Sequence, residues 1–514
     1  MNMFGWFVAA PIVVPLLFAA LTLMLTGRPV AEYRMAIIGG VAGVASAVLL
    51  ATQVGLNGVT VMWSSSWAPP FGIALVADAL GAGLALITAV VGLAVLIYGT
   101  AEDIRYRYRA GFYPLVLALL SGVSGAFLTA DIFNLYVWFE IVLITSLGLM
   151  ILGGAAEQID GAVKYGILSL IATTLFLIAT GFLYGIHGTL SLPDLAIKVK
   201  AGLGGDPMSD PALIMVAALY LMAFGMKAAA FPLFMWLPAS YHTPKPASMA
   251  LFAGLLTKVG VYSIYRVFSL VFVDLMPFFA PVFLTLGVLT LLFGALGVVA
   301  SRDMRRMMGW IVISGIGFLF ICFGFGNEQA LTAGLVYMVQ SMVFGAIGFL
   351  IIGIIGQKAG TYRLDRLGGI WSELPAFGAV VLVLVLALAG LPPFLGFWPK
   401  LMLVQSGWAS DFGMWPIAAM LVGSFITMIG LGRFFAATVW RAAPAGMSFD
   451  GLHPKAVPVM RTTVWVLLAP ALLMGLYPEP LIQWAQAAAQ GLADPSAYID
   501  AILPSGPITG KGGS

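Results

Sequence analysis

The chain contains few charged residues and few of the side chains that bind metals or redox groups. Only 9% of its 514 residues are charged, whereas soluble domains average about a quarter. The one cysteine, Cys322, lies in an apolar run and cannot form an intrachain disulfide. No Cys/His cluster has metal-ligand spacing, and neither a Walker-type phosphate loop nor a Gly-x-Gly-x-x-Gly motif occurs. We therefore predict no cofactor and no nucleic-acid partner, and any transport must be driven by an ion gradient or by a partner.

Hydrophobic residues make up 61% of the chain, which therefore needs lipid around it rather than water. A helix needs about 20 apolar residues to cross a membrane, and these long apolar runs do not resemble the short alternating segments of a β-barrel. We predict an all-α polytopic membrane protein with about fourteen transmembrane helices. The predicted spans are roughly 4–26, 34–54, 72–99, 111–129, 131–152, 162–187, 212–238, 246–271, 277–300, 307–326, 330–355, 375–405, 413–440 and 458–487.

The placement of basic residues predicts how these helices are oriented. The first basic residues, Arg28 and Arg34, follow the first apolar run instead of preceding it, so this run is a transmembrane helix and not a signal peptide. Lys and Arg are enriched in cytoplasmic loops. The loops that we predict to be cytoplasmic contain Arg28, Arg34, Arg105, Arg107, Arg109, Lys245, Arg302, Arg305, Arg306, Lys358, Arg363, Arg366, Arg441, Lys455 and Arg461. The outer segments hold Lys198, Lys200 and Lys511, so we predict a bacterial inner-membrane protein with both termini external.

Four ionisable residues lie deep within predicted spans: Glu140, Lys227, Lys258 and Lys400. Charges inside a membrane are costly, and by default they mark a path for ions. Glu140 is too short to reach either surface, because it lies about 13 Å into its helix at 1.5 Å per residue. The alternative for each residue is a structural role, such as an ion pair between Glu140 and Lys227.

Other charged residues have weaker claims to a transport role. Lys164 opens its predicted helix, and its long side chain could extend to the surface. His242 lies in a loop, where a group that titrates near neutrality could feed protons or could simply be solvated. For Arg266 and Arg433 we favour packing or a surface position, and for Asp78 a structural cap or ion pair.

Lysine suits a proton relay because burial favours its neutral amine, whereas a nearby carboxylate favours its charged ammonium. A Glu–Lys pair that opens and closes therefore changes the proton affinity of the lysine. Several such lysines connected by water would form a relay.

Two predicted spans are interrupted beside a lysine. Lys227 is followed by Pro232 and Pro238, and Lys400 follows residues 392–393, a Pro-Pro pair, in an apolar stretch of about 30 residues that is too long for one straight crossing. Interrupted spans at matching positions in two halves indicate inverted repeats with a site at the midplane. The predicted units are 1–110 with helices 1–3, 111–271 as the first five-helix half, 272–440 as the second half, and 441–514 with the last helix and an external tail.

Six stretches occur in the order that is typical of one superfamily. They are Phe71 to Asp78, Leu135 to Glu140, Lys164-Tyr165, Lys227 to Pro238, Leu251 to Gly260, and Gly390 to Lys400. Together they resemble the proton-conducting, antiporter-like membrane subunits of complex I and its relatives over about residues 70–405. Within this superfamily the chain is most similar to the D-type subunits of Mrp-type multisubunit sodium/proton antiporters.

The resemblance implies two inverted five-helix halves and a proton path along a central polar axis. It also implies that Glu140 pairs with Lys227, that Lys258 links the halves and that Lys400 serves the second half. Such subunits work in hetero-oligomers, so the implied partners are other membrane subunits, protons, monovalent cations and the lipid bilayer.

One helix departs from the family pattern. Family members usually carry His and Lys where this chain has Gln340, Ser341 and Gly345, none of which can hold a proton as a charged group. A link from Lys258 to Lys400 must then use water held by Gln340 and Ser341, or be interrupted.

The sequence leaves three functions open. The leading one is secondary transport without enzyme activity, in which proton flow through the buried residues drives sodium or another monovalent cation outward. The second is the proton-pumping arm of a complex I-like NADH–quinone oxidoreductase or a membrane-bound hydrogenase. The third is a structural role in a complex with a dead channel, because charged groups are missing at residues 340–345. Neighbouring genes would separate the first two functions.

Overall fold

The computed structural model describes residues 5–64, 67, 72–102, 111–202, 210–408, 412–445 and 447–503. Four of the basic residues that predict the orientation, Arg105, Arg107, Arg109 and Lys511, lie outside these ranges. Phe71, the first residue of the family-like stretches, also lies outside them.

The first half of the chain consists of helices and one β-hairpin. Its elements are α1 (Gly5–Met24), α2 (Pro29–Asn57), β1 (Thr60–Trp63), β2 (Ala74–Ala77), α3 (Ala79–Glu102), α4 (Phe112–Leu128), α5 (Ile132–Ile151), α6 (Ala156–His187), α7 (Leu192–Gly202), α8 (Pro211–Ala228), α9 (Trp236–Ser240), α10 (Pro246–Leu251) and α11 (Thr257–Leu270). A π-helical segment, Phe252–Leu256, joins α10 to α11 in one continuous span.

The second half is also helical. Its elements are α12 (Met276–Ala300), α13 (Met304–Phe325), α14 (Glu328–Ala359), α15 (Ile370–Glu373), α16 (Pro375–Ala389), α17 (Phe397–Gly407), α18 (Trp415–Phe435), α19 (Ala456–Leu476), α20 (Glu479–Ala493) and α21 (Ser496–Ile502). A π-helical segment, Ala436–Trp440, extends α18.

Twelve described helices are long and apolar enough to cross a membrane, and α4 and α16 are shorter apolar helices. The chain is therefore an all-α polytopic membrane protein, as its composition predicts. The number of crossings, the inverted halves and the boundaries of the four units stay predictions, because α4 and α16 fall short of the usual crossing length of about 20 residues.

Burial separates the central helices from the peripheral ones. All residues in the most apolar window of Pro246–Leu270 are buried, as are 94% in α14 and 89% in α13. In α1, α2, α18 and α19 the share is only 39%. The span that carries Lys258 is thus the most enclosed of the twelve described spans.

Short polar side chains fix the start of several helices. Asp131 Oδ1 accepts a hydrogen bond from the Asn134 N–H at 2.7 Å, and Asn327 Oδ1 accepts one from the Ala330 N–H at 2.8 Å. These bonds satisfy donors that the first turn of a helix leaves free. Inside lipid such satisfaction must come from the protein itself.

Both interruptions that the sequence predicts are confirmed. Helix α8 ends at Ala228, and Ala229 follows with φ of 64°, a left-handed conformation that is rare outside glycine. Helix α16 ends at Ala389 before Gly390, whose φ is 79°, and α17 begins only at Phe397. Each break therefore places a helix terminus inside an apolar stretch.

Three predicted boundaries are wrong, and one helix is missing from the prediction. Residues 74–77 of the predicted span 72–99 form a strand, because they pair with β1. The predicted span 458–487 is divided into α19 and α20 by Pro478, whose ring cannot continue a helix. Helix α6 begins at Ala156, so Lys164 lies two turns inside it instead of opening it. The amphipathic helix α7, which contains Lys198 and Lys200, is absent from the prediction.

Gly260 sets the distance between α11 and α8, and hence between their lysines. A Cβ atom at this position would lie 2.7 Å from Ala228 N and 2.9 Å from Phe224 O. We expect Gly260→Ala to lower the melting temperature of the purified protein, because a backbone contact cannot rotate away. Gly181, in α6, has nothing within 4 Å of such a Cβ. Gly181→Ala should leave the melting temperature unchanged or raise it slightly; equal melting of both variants would contradict the proposed packing.

Candidate functional site

A charged cavity of about 740 Å³ lies at one end of the helices. We call it the basic vestibule; its charged and titratable lining comprises Glu157, Asp160, Lys164, His242, Arg302, Asp303, Arg305, Arg306 and Arg363. These residues come from the start of α6, the segment after α9, and the segments around α13 and α15. Loops that the sequence assigns to one side of the membrane therefore converge on one cavity, together with both of the weaker candidates, Lys164 and His242.

Lys164 lies at the wall of the vestibule and not in the apolar interior. Its Nζ is 2.5 Å from Asp160 Oδ2, one turn earlier in α6, and the two side chains are 51% and 60% exposed. An exposed ion pair of this kind adds little stability. Lys164 is therefore an accessible residue at the mouth of the site.

His242 is held as a neutral imidazole. Its Nε2 is 3.2 Å from the Arg306 guanidinium, which can only donate, so Nε2 accepts. The ring therefore carries its proton on Nδ1, which donates to Pro238 O at 3.1 Å. Burial lowers the pKa of His242 to about 4, and the nearby Arg306 and Arg305 act in the same direction. This environment opposes the titration near neutrality that would let His242 feed protons.

Lys227 lies at the interrupted end of α8, beside Glu140. A small cavity of about 10 Å³ adjoins it, which is near the minimum for one water molecule. The Lys227 Nζ is 5.9 Å from the centre of the Phe139 ring, and Glu140 is close enough to act on Lys227 electrostatically. Between these two described residues there is no direct ion pair. The carboxylate and the amine are therefore brought together without being locked to each other.

The segment between α8 and α10 separates the vestibule from Lys227. Met235 and Pro238 line the vestibule, whereas Trp236, between them, lines the small cavity at Lys227. Tyr165 faces this cavity from α6 and packs on Trp236 with ring centres 5.2 Å apart. One layer of aromatic side chains therefore divides the accessible charges of the vestibule from the half-buried Lys227.

Lys258 is completely buried, with 0% of its surface exposed. Its Nζ donates to Ala253 O at 2.8 Å. Ala253 belongs to the π-helical segment, and such segments loosen the regular helical hydrogen bonding and often mark functional positions. The cavity at Lys227 is lined by Leu256 and Val259 from the same span, so the span that carries Lys258 packs beside Lys227.

Lys400 repeats this arrangement in the second half of the chain. Its Nζ donates to Ala389 O, at the end of α16, over 2.8 Å. Gly390 is required here for its positive φ, and a Cβ atom at this position would lie 2.7 Å from the Lys400 Nζ, so the lysine lies directly against the break. Lys400 thus lies at a break, as Lys227 does, and bonds a carbonyl oxygen, as Lys258 does.

Asp78 and Arg266 form a buried pair at the end of α11 that is remote from the vestibule. Arg266 donates to Asp78 Oδ2 at 2.5 Å, and Asp78 Oδ1 accepts from the Gly81 N–H at 2.8 Å. Arg266 also donates to the Tyr262 hydroxyl at 3.3 Å. These bonds fit the structural role that we favoured for both residues.

The structure places Glu140 near Lys227, packs the span of Lys258 against the cavity at Lys227, and places Lys400 at the second break. Sequence reasoning missed the carbonyl oxygens of Ala253 and Ala389, because the sequence does not reveal where a helix releases its backbone. It also missed Trp236 and the contact between Arg306 and His242. Tyr165 follows Lys164 directly in a family-like stretch, and that adjacency was the available signal.

Comparison with known proteins identifies relatives of the whole chain. Residues 129–427 match the family described as NADH:quinone oxidoreductase/Mrp antiporter, transmembrane region. The D-type subunit of a sodium/proton antiporter from Bacillus subtilis strain 168 is 33% identical over 97% of this chain and 99% of its own length. The corresponding antiporter protein of Alkalihalophilus pseudofirmus OF4 is 33% identical over 89% of this chain and 91% of its own.

A solved structure has the same fold over nearly the entire chain. One chain in the structure of the Mrp complex from Dietzia sp. DQ12-45-1b superposes with a TM-score of 0.89 at 27% sequence identity. The match covers 98% of this chain and 100% of that one.

The environment of His242 predicts its titration. In protein labelled at histidine, we expect His242 to remain neutral at pH 6, with the proton on Nδ1, and to titrate near pH 4. Arg306→Gln should raise this pKa, because the removed positive charge disfavours the imidazolium. Arg302→Gln, which alters the same vestibule, should not raise it. Nitrogen and carbon chemical shifts would report both states, and a His242 that charges at pH 6 would refute the assignment.

Proposed function

We propose a function for this chain on the ground that it belongs to the NADH:quinone oxidoreductase/Mrp antiporter family, which its family match and its identity to full-length relatives show. It is the proton-conducting subunit of a multisubunit antiporter for protons and a monovalent cation, with sodium as the first candidate. The observation that carries this proposal is that Lys227, Lys258 and Lys400 each lie where a helix is interrupted or loosened within an apolar span. The chain acts as part of a secondary transporter and not as an enzyme.

The basic vestibule is the proposed entry for protons. Its charges are accessible, and only the layer of Tyr165 and Trp236 separates it from Lys227. The neutral His242 fixes the position of Arg306 in this wall and does not store a proton. The predicted orientation places the vestibule on the cytoplasmic side.

Glu140 and Lys227 form the first switch of the proposed relay. When the carboxylate approaches the amine, the charged ammonium is favoured; when it withdraws, the apolar surroundings favour the neutral amine. The absence of a direct ion pair between these described residues leaves room for both arrangements. A change in this distance would therefore load or release a proton.

Lys258 and Lys400 extend the relay into the second half of the chain. An ammonium group carries three donors, and each of these lysines uses one of them on a carbonyl oxygen. A neutral amine can keep that one hydrogen bond, so losing a proton need not leave the carbonyl unsatisfied. This arrangement lowers the structural cost of cycling between the two protonation states.

Other membrane subunits are the proposed partners, and the inner membrane of a bacterium is the proposed location. The relatives are named as subunits, and the structural neighbour is part of an Mrp complex. Proton flow inward would drive the cation outward in the assembled complex. The role of a pump module in a redox-driven complex is the second candidate, because the family includes NADH:quinone oxidoreductases; the names of the relatives favour the antiporter.

The relay predicts which charges are essential. Everted vesicles that contain the assembled complex should lose cation-dependent pH changes by at least about tenfold in Glu140→Gln, Lys227→Ala, Lys258→Ala and Lys400→Ala, since each removes one proton-transfer group. Lys198→Ala is the matched control: Lys198 pairs with Asp194 at 2.9 Å on α7 and is 42% exposed. It should retain exchange.

Complex assembly must be measured in the same membranes, because a variant that fails to assemble would also lose exchange. Undiminished exchange in Lys227→Ala, with normal assembly, would contradict the proposed relay. Cation-independent proton pumping that requires an electron donor would favour the second candidate.

A further inference from the structure

Two buried polar atoms next to the relay have no hydrogen-bond partner within the described part of the chain. They are Thr257 Oγ1 and Gln340 Oε1, on side chains that are 0% and 3% exposed. Buried polar atoms are nearly always hydrogen-bonded, and where the protein supplies no partner an ordered water commonly does. Thr257 directly precedes Lys258 in α11, so one of these atoms belongs to the same helical turn as the buried lysine.

Close contacts fix the register between the span Pro246–Leu270 and α14. A Cβ at Gly334 would lie 2.6 Å from the Tyr265 hydroxyl, and a Cβ at Gly345 would lie 3.3 Å from Ala253 O. The two helices are therefore antiparallel. Ser341 is seven residues after Gly334 and four before Gly345, so it shares their face. Because Gly334 lies beside Tyr265 and Gly345 lies beside Ala253, counting residues between these two contacts places Ser341 opposite Thr257 and Lys258 along the helix pair.

Gln340 lies on another face of α14. It is eleven residues after Gln329, which is about three helical turns, so both glutamines point the same way. Gln329 donates to Gln405 Oε1 of α17 at 3.2 Å, whereas a Cβ at Gly348 would lie 3.9 Å from the Leu384 side chain of α16. Gln340 lies between these two contacts, at the height of the break between α16 and α17.

The neighbours Gln340 and Ser341 thus stand between the two lysines. Ser341 faces the span of Lys258, and Gln340 faces the break where Lys400 Nζ bonds Ala389 O. Ser341 keeps 9% of its surface exposed, although 94% of the apolar window of α14 is buried. The region where α14 packs against the span of Lys258 therefore contains polar atoms without a hydrogen-bond partner among the described residues, and Ser341 there is not fully enclosed.

We propose that Thr257, Ser341 and Gln340 bind ordered water on both sides of α14, and that this water connects Lys258 to Lys400. The inference rests on the proposed relay and names the residues that join its halves. Gly345 contributes by its lack of a side chain, which leaves Ala253 O, the acceptor of Lys258, uncovered on the side of α14.

The transfer through this site conserves protons. An N–H bond of the Lys258 ammonium breaks as an O–H bond forms on the first water, and each oxygen then passes one proton onward. The last proton binds the neutral amine of Lys400. Thr257, Ser341 and Gln340 position the water and return to their initial state, so they are positioning residues.

Shape-conserving substitutions test whether the site is wet. Thr257→Val and Gln340→Met should each slow cation-dependent exchange in the assembled complex by at least about tenfold. Ser263→Ala and Thr332→Val are matched controls on the same two helices, since these buried hydroxyls bond carbonyls of their own helix at 2.8 Å. Both controls should retain exchange.

The melting temperature separates hydrated atoms from dry ones. Removing a dry, unsatisfied polar atom stabilises a protein, whereas removing one that holds a water does not. We expect the melting temperatures of Thr257→Val and Gln340→Met to be unchanged or lower than that of the wild type. A higher melting temperature in both variants, or full exchange in both, would overturn the proposal. If the wild-type complex shows no exchange, the antiporter function fails, but the melting comparison still decides whether water is bound.

Discussion

A backbone carbonyl that is released inside an apolar span must find a donor within the protein, because lipid offers none. This constraint governs the arrangement of the buried lysines. Lys258 donates to Ala253 O in the π-helical segment, and Lys400 donates to Ala389 O at the end of α16. At the first break the Trp236 ring nitrogen donates to Met226 O at 2.9 Å, beside Lys227. Each irregularity thus requires a donor.

The same constraint ties proton transfer to helix geometry. A residue that stabilises a broken helix only by its charge would destabilise the break when it became neutral. Lysine keeps a donor in both protonation states, so the break can persist while the proton moves. Arg266 illustrates the contrasting case: its guanidinium stays charged and is held by Asp78 and Tyr262, which suits a fixed structural pair.

Because Gln340, Ser341 and Gly345 stand where family members usually carry His and Lys, the centre of the protein has fewer charged groups than the vestibule. The vestibule is rich in charges, several of which form ion pairs, whereas the crossing of α11 and α14 has only neutral polar groups beside Lys258 among the described residues. Neutral groups can orient water without holding a charge in the most buried part of the chain. The proposed hydration of Thr257, Ser341 and Gln340 follows from this difference, and it would make the link between Lys258 and Lys400 depend on water instead of on a further cationic side chain.

The amino-acid sequence alone is enough to predict the membrane class, both helix breaks and the position of four ionisable residues within apolar runs, because apolar run length, Pro/Gly placement and an ionisable residue within such a run are local features. Their exposure is not such a feature: Lys258 is fully buried, whereas Glu140, Lys227 and Lys400 are half-buried. How these features combine depends on tertiary packing. Burial lowers the pKa of His242 most, and the next cause is Arg306, 64 positions away in the chain. The strand at residues 74–77 exists because β1 pairs with it. The sequence also does not reveal the carbonyl oxygens to which Lys258 and Lys400 donate, because a π-helical segment and a helix end arise from packing against other helices. Burial and hydrogen-bond partners come from distant segments, whereas the hydropathy of each segment is a property of that segment alone.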